Sequence, residues 1–146
     1  MRIRSMKRSE ALSPLSRDHH RALVAAQRLR RGGEPGELAS GFRAFWEEHG
    51  SPHFRIEEEI LLPLWASLGT ADPGHVRRVA EEHLEIRRMA LELQRDADPE
   101  LLGRLGELLQ AHVRYEEREL FPTIEADLDE AELAELADAV EAAESA

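Results

Sequence analysis

The chain has 146 residues, 34% of them charged and 42% hydrophobic, which is enough apolar content for one folded domain with a real core. It carries a net charge of −11 and no cysteine, so a disulfide scaffold, a thiolate metal site and a cysteine nucleophile are excluded. Residues 1–31 hold nine of the 19 Lys and Arg with only Glu10 and Asp18 as acids, whereas residues 32–146 set ten Arg against 28 acids, so the chain does not read as a nucleic-acid binder.

Residues 1–12 read as a basic flexible arm, 13–128 as a helical bundle and 129–146 as an acidic C-terminal helix packed on it. Aromatics are only 5%, and Ala, Leu, Glu and Arg dominate over β-branched residues, which favours helices. Clusters of Pro, Gly and Asp punctuate the sequence at Ser13-Pro14, 32–36, 69–74 and 96–99. They leave helices expected over 14–31, 36–68, 74–96 and 99–126, with a fifth over 130–144 behind Asp129 as its N-cap. Short links make neighbours antiparallel, so the expected fold is all-α: an up-down-up-down four-helix bundle with a short fifth helix. Pro52, beside Gly50 and Ser51, is expected to kink or interrupt the second helix. No apolar run approaches the ~20 residues that cross a bilayer. No apolar stretch follows the basic start, so a secretory signal and a membrane partner are not expected and a cytoplasmic location is.

In the first helix Leu12, Leu15, His19, Ala22, Ala26 and Leu29 alternate at spacings of three and four, a buried seam broken by one histidine. The third helix repeats it with Val76, Val79, His83, Ile86, Ala90 and Leu93, and both histidines follow an acid, Asp18 or Glu82. The second and fourth helices share a stricter pattern, His-x3-Glu-Glu-x4-Pro, at His53 to Pro63 and again 59 residues later at His112 to Pro122. The chain is thus two copies of one helical hairpin. Residues i and i+4 share a helix face, so His53 points with Glu57 and His112 with Glu116. A lone seam histidine is more often a hydrogen-bonded core residue than a ligand. Four at matched steps, with two inward carboxylates and no seam Lys or Arg, call for a metal cluster instead.

His19 is preferred over His20, whose own stripe of Ser16, Leu23, Gln27 and Arg30 is mostly polar. His20 and His49 are expected beside the cluster, His49 as a supporting or channel-lining group, and Glu58 and Glu117 either support the ligands or belong to a solvated helix face, rather than being direct ligands. Tyr115, three residues after His112, is expected to lean inward, either to hydrogen-bond a bound ligand or as an ordinary core tyrosine. His75 is expected to be exposed. Imidazole and carboxylate together suit iron, with manganese or zinc as substitutes, better than calcium or magnesium. Four imidazoles and two bridging carboxylates leave room for an oxo or hydroxo bridge and about one open position per metal.

The doubled motif, each copy preceded by an acid-His pair on the previous helix, resembles the hemerythrin-like, HHE cation-binding family over about residues 12–126. The resemblance implies a four-helix bundle with a non-haem di-iron centre. Its ligands would be His19, His53, Glu57, His83, His112 and Glu116, with the two glutamates bridging. Oxygen-carrying members have a His-x3-His pair on the third helix, where this chain has His83 and Arg87. The four-histidine set is closer to the bacterial iron-sensing and iron–sulfur-repair branches, but the cysteine of the repair branch is missing. The expected function is a di-iron protein that binds oxygen, peroxide or nitric oxide for sensing, storage or detoxification. A peroxidase or catalase-like enzyme and an iron store are the alternatives, and no protein partner is indicated.

Overall fold

The computed structural model describes residues 8–146, and among them it is helical with no strand. Five helices follow in chain order: α1 (Ser13–Arg31), α2 (35–68), α3 (Pro73–Arg95), α4 (99–127) and α5 (Glu130–Glu144). Proline in the first turn starts α1 to α4, where the missing N–H costs nothing. Carboxylate caps fix the entries. Glu34 accepts from the N–H of Glu37, Asp72 from that of His75 and Asp98 from that of Glu100. Asp129 and Glu132 form a reciprocal capping box at the start of α5. Links of three, four and three residues join α1 to α4, forcing each helix antiparallel to the one before.

Two long helices are not uniform. Helix α2 widens into π-helical turns at Trp46–Gly50 and Glu57–Leu61, and α4 does so at Glu116–Leu120. Pro52 therefore does not break α2. The π turn just before it carries the bond from the Ser51 N–H to the Trp46 carbonyl, and the helix continues through the proline. Helices α1 and α4 approach so closely at Gly106 that a Cβ there would lie 2.9 Å from the Ala26 carbonyl oxygen.

The apolar core is in two parts. One, around Leu29, Phe42, Ile86, Leu102 and Leu105, fills the end of the bundle near the link between α1 and α2. The other, around Leu15, Leu61, Trp65, Val79, Phe121 and Ile124, fills the opposite end. Helix α5 seals the second part with Leu136 and Val140, both fully buried.

Of the arm expected over residues 1–12, residues 1–7 lie outside the described residues. The remainder is strapped to the bundle rather than free. Ala11 and Leu12 are buried, the Ser9 N–H donates to Glu125 at 2.7 Å, and the Arg8 guanidinium reaches Glu125 at 3.0 Å and Glu117 at 3.1 Å. Leu12 extends the seam of α1, so its burial draws the preceding residues onto α4.

Candidate metal centre

Between the two apolar clusters lies a single polar layer: His19 from α1, His53 and Glu57 from α2, His83 from α3, and His112 and Glu116 from α4. All six are at most 6% exposed, and they are the only polar or charged residues buried to this degree among those described. Each seam delivers its polar group at the same height, which is why matched steps in the sequence meet in space.

The histidines are gripped from outside. The Nδ1 atom of His19 lies 2.6 Å from Glu117, that of His53 3.1 Å from Asp18, that of His83 2.7 Å from Glu58 and that of His112 2.7 Å from Glu82. With a carboxylate accepting from Nδ1–H, the neutral ring presents its Nε2 lone pair inward, as a metal-ligating imidazole does. Two rings are also fixed by stacking: Phe54 lies on His83 with centroids 3.7 Å apart, and Phe121 on His19 at 5.3 Å.

The inward atoms surround a point more than they bond to one another. His53 Nε2 is 3.1 Å from Glu57, His83 Nε2 3.0 Å from Glu57 and His112 Nε2 3.1 Å from Glu116. These contacts are short but misaligned, so the three nitrogens, both Glu57 oxygens and Glu116 Oε2 are buried without a hydrogen-bond partner. Only His19 is satisfied from within, at 2.8 Å from Glu116 Oε1. So many orphaned polar atoms in one dry layer would cost several kcal/mol unless a cation joins them. They sort into two sets, His19, His53, Glu57 and Glu116, and Glu57, His83, His112 and Glu116. Within each, the candidate ligand atoms lie within 4.8 Å of one another. Both glutamates belong to both sets, the arrangement of two carboxylates shared by two metals. The donor set fits iron.

Among the side chains alone, protons must do what a cation would do. Burial disfavours charge throughout the layer, but the carboxylates outweigh it for the histidines. His53 is raised to about 9, chiefly by the charge of Glu57 and the Asp18 hydrogen bond. His83 is raised to about 11 by the carboxylates around its ring, Glu116 and Glu57 on the inner side and Glu58 hydrogen-bonded to Nδ1. Burial and the nearby Glu116 charge push Glu57 up, yet the facing imidazoles of His53 and His19 hold it down at about 2.

The supporting groups are only partly as the sequence suggests. Glu58 and Glu117 are the carboxylates on His83 and His19. Arg87, at the position of a second α3 histidine, turns away to pair with Glu58 at 3.0 Å. His20 is exposed, one helical step off the seam. His49 is half-buried and walls a chamber of about 10 Å³ together with His19, His53 and His112. Tyr115 does not lean toward the cluster. Its hydroxyl pairs with His75 Nδ1 and Arg78 lies over its ring, so it is a core tyrosine and His75 is not fully exposed. Asp18 and Glu82 were visible in the acid-His pairs, but their role was not: each serves a histidine on the following helix, not its neighbour. Phe54 and Phe121 carry no sequence signal beyond lying inside the doubled motif. Replacing Glu82 by alanine should weaken metal binding about 10- to 100-fold by freeing the His112 ring. Competition against a chelator measures this, and unchanged affinity would mean that the carboxylate does not orient its ligand.

The family model of the hemerythrin HHE cation-binding domain matches residues 11–124. Comparison with curated proteins and with solved structures gives no match.

Proposed function

Because the chain belongs to the hemerythrin HHE cation-binding family, we propose that its polar layer holds two irons and binds oxygen, peroxide or nitric oxide for sensing, storage or detoxification. The observation that carries this reading is the set of buried, unpartnered imidazole and carboxylate atoms that converge in the layer. His19, His53, His83 and His112 would be terminal ligands, and Glu57 and Glu116 would bridge. Bound iron would supply a change of oxidation state and an open coordination position for a small ligand.

The chain's own residues do the rest. Asp18, Glu58, Glu82 and Glu117 hold the imidazoles in the ligating tautomer. Ile86 and Leu109 on one side, Leu61 and Leu120 on the other, are almost fully buried and keep bulk water from the layer. The 10 Å³ chamber beside His19, His53 and His112 has room for about one water-sized molecule, which selects small ligands at the cluster itself. With Arg87 paired to Glu58, α3 would contribute one histidine where an oxygen carrier has two, which would leave room for a small ligand at the bound metals.

The protein expressed with iron should contain about two irons per chain. Reduced protein mixed with oxygen in a stopped flow should oxidise and stay oxidised when purged with argon. Return of the reduced spectrum on purging would identify a reversible carrier. Fewer than about one iron per chain would remove the basis of the reading.

A further inference from the structure

The four carboxylates that grip the histidines are themselves gripped. Each is met by an arginine: Glu117 by Arg8 at 3.1 Å, Glu58 by Arg87 at 3.0 Å, Glu82 by Arg78 at 3.1 Å and Asp18 by Arg21 at 3.8 Å. Two of these guanidiniums are better sheltered. The side chains of Arg8 and Arg87 are 18% and 32% exposed, against 46% and 55% for Arg78 and Arg21. A charge held away from bulk water acts on its neighbours with less screening.

Arg8 and Arg87 also build the same cage. Arg87 donates to both oxygens of Glu58, which accepts from His83 Nδ1 at 2.7 Å. Its guanidinium lies 5.7 Å from the centroid of Phe54, the ring that stacks on that same His83. Arg8 donates to Glu117 Oε1, while Glu117 Oε2 accepts from His19 Nδ1 at 2.6 Å and from the Ser16 hydroxyl at 2.7 Å. Its guanidinium lies 5.6 Å from the centroid of Phe121, which stacks on His19. Each imidazole thus has a carboxylate on its edge and a phenyl on its face, with one arginine against both. One cage falls to each ligand set, since His19 belongs to the first and His83 to the second.

The sequence repeat does not account for this match. Four residues after His83 comes Arg87, but four after His19 comes Leu23, which packs against the apolar core. The cation on that side comes instead from the segment ahead of α1, where Arg8 is fixed by the Glu117 side chain, the Glu117 carbonyl and Glu125. Two unrelated positions supply the same charge at equivalent places.

We propose that Arg8 and Arg87 are positioning residues that act through Glu117 and Glu58 to keep His19 and His83 weaker donors than those carboxylates alone would make them. A carboxylate on Nδ1–H raises the basicity of Nε2, and a stronger donor favours the more oxidised metal. A guanidinium that draws on the carboxylate opposes this. The reduction potential of iron bound in the layer is therefore held up by two residues outside it. The effect on the potential rests on the iron reading above; the effect on the rings does not.

Redox titration of the iron-loaded full chain, followed optically, tests the potential. Arg87→Met and Arg8→Met should each shift the ratio of oxidised to reduced iron at a fixed potential about tenfold toward the oxidised form, a midpoint about 59 mV lower per one-electron step. Arg88→Met removes the same charge one residue further along α3, from a guanidinium paired with Glu85 and Glu92 rather than with a carboxylate on a histidine, and should leave the midpoint unchanged. In a Glu58→Gln background, Arg87→Met should have less than about half its effect. The rings are read by proton NMR of metal-stripped protein. The His83 Nδ1–H resonance should move downfield in Arg87→Met, as the bond to Glu58 strengthens, and that of His19 in Arg8→Met; neither should move in Arg88→Met. Arg87→Gln provides a second neutral variant should the methionine protein lose helix content. Unmoved resonances in both variants overturn the proposal, as does a midpoint shift in Arg88→Met equal to that in Arg87→Met. Moved resonances with unchanged midpoints overturn the claim on the potential. Fewer than about one iron per chain in the wild type overturns that claim together with the reading it rests on, while the resonances still decide the rest.

Discussion

Replacing Glu116 by alanine is expected to remove both irons, whereas replacing His112 removes first the one it serves. Glu116 belongs to both four-ligand sets and His112 to only one. Loss of the shared carboxylate also leaves His19 and His112 without the oxygens that lie 2.8 and 3.1 Å from them. Iron per chain should fall from about two to near zero in Glu116→Ala, to about one or less in His112→Ala, and stay unchanged in His20→Ala, whose side chain is exposed. Helix content by circular dichroism separates loss of ligand from loss of fold. Glu116→Gln, which keeps the shape and removes the charge, provides a second variant should the alanine protein unfold. Two irons retained in a folded Glu116→Ala protein would show that the carboxylate is not a shared ligand.

Metal-stripped protein should lose stability as pH rises from neutral, and iron-loaded protein should lose it as pH falls. In the stripped protein His53 titrates at about 9 instead of 6.5, and His83 at about 11. A pKa raised by folding contributes fully below the unfolded value and is lost as pH passes through the folded one, so this support fades from 6.5 upward. Glu57, lowered from 4.5 to about 2, contributes fully above 4.5 and is lost as pH falls toward 2. Stripped protein should therefore be most stable between those limits. At about 1.36 kcal/mol per pKa unit, the His53 shift corresponds to about 3 kcal/mol, or roughly 10 °C in melting temperature. Metal needs neutral imidazole, so in the loaded protein protons compete with it and the slope reverses. Melting curves at about pH 5.5, 7 and 8.5, with and without iron, should diverge steadily toward high pH. Parallel profiles would mean that protons and metal do not share the layer.

Much of this architecture was legible because it rests on local chemistry. Pro-Gly-Asp clusters end helices wherever they occur, and the steps of three and four that bury Leu15 and Ile86 also bury His19 and His83. The doubled His-x3-Glu motif marks four residues, His53, Glu57, His112 and Glu116, and the matched seams add His19 and His83 at the same height. What was not legible depends on how helices meet. Asp18 projects about 100° away from His19 on the same helix, so it had to serve another ring, and nothing local says that the ring is His53. Tyr115 reads as inward from its spacing to His112, yet its hydroxyl pairs with His75 on a neighbouring helix. The π turns at Glu57 and Glu116 have no compositional mark, although they begin at the two shared carboxylates.

The doubled hairpin gives the layer an approximate two-fold axis. The half made of α1 and α2 supplies His19, His53 and Glu57 to one set but must borrow Glu116. The half made of α3 and α4 supplies His83, His112 and Glu116 and must borrow Glu57. The outer carboxylates follow the same symmetry: Asp18 and Glu82 act within their own hairpin, while Glu117 and Glu58 reach across to the other. Neither hairpin can complete a site alone, yet two identical hairpins related by a two-fold axis would complete both. The present chain is in this sense a dimer written as one polypeptide. Joining the halves frees each copy to diverge, which shows in Phe54 and Phe121, each stacked on a histidine of the layer, whose repeat partners are Val113 and Leu62.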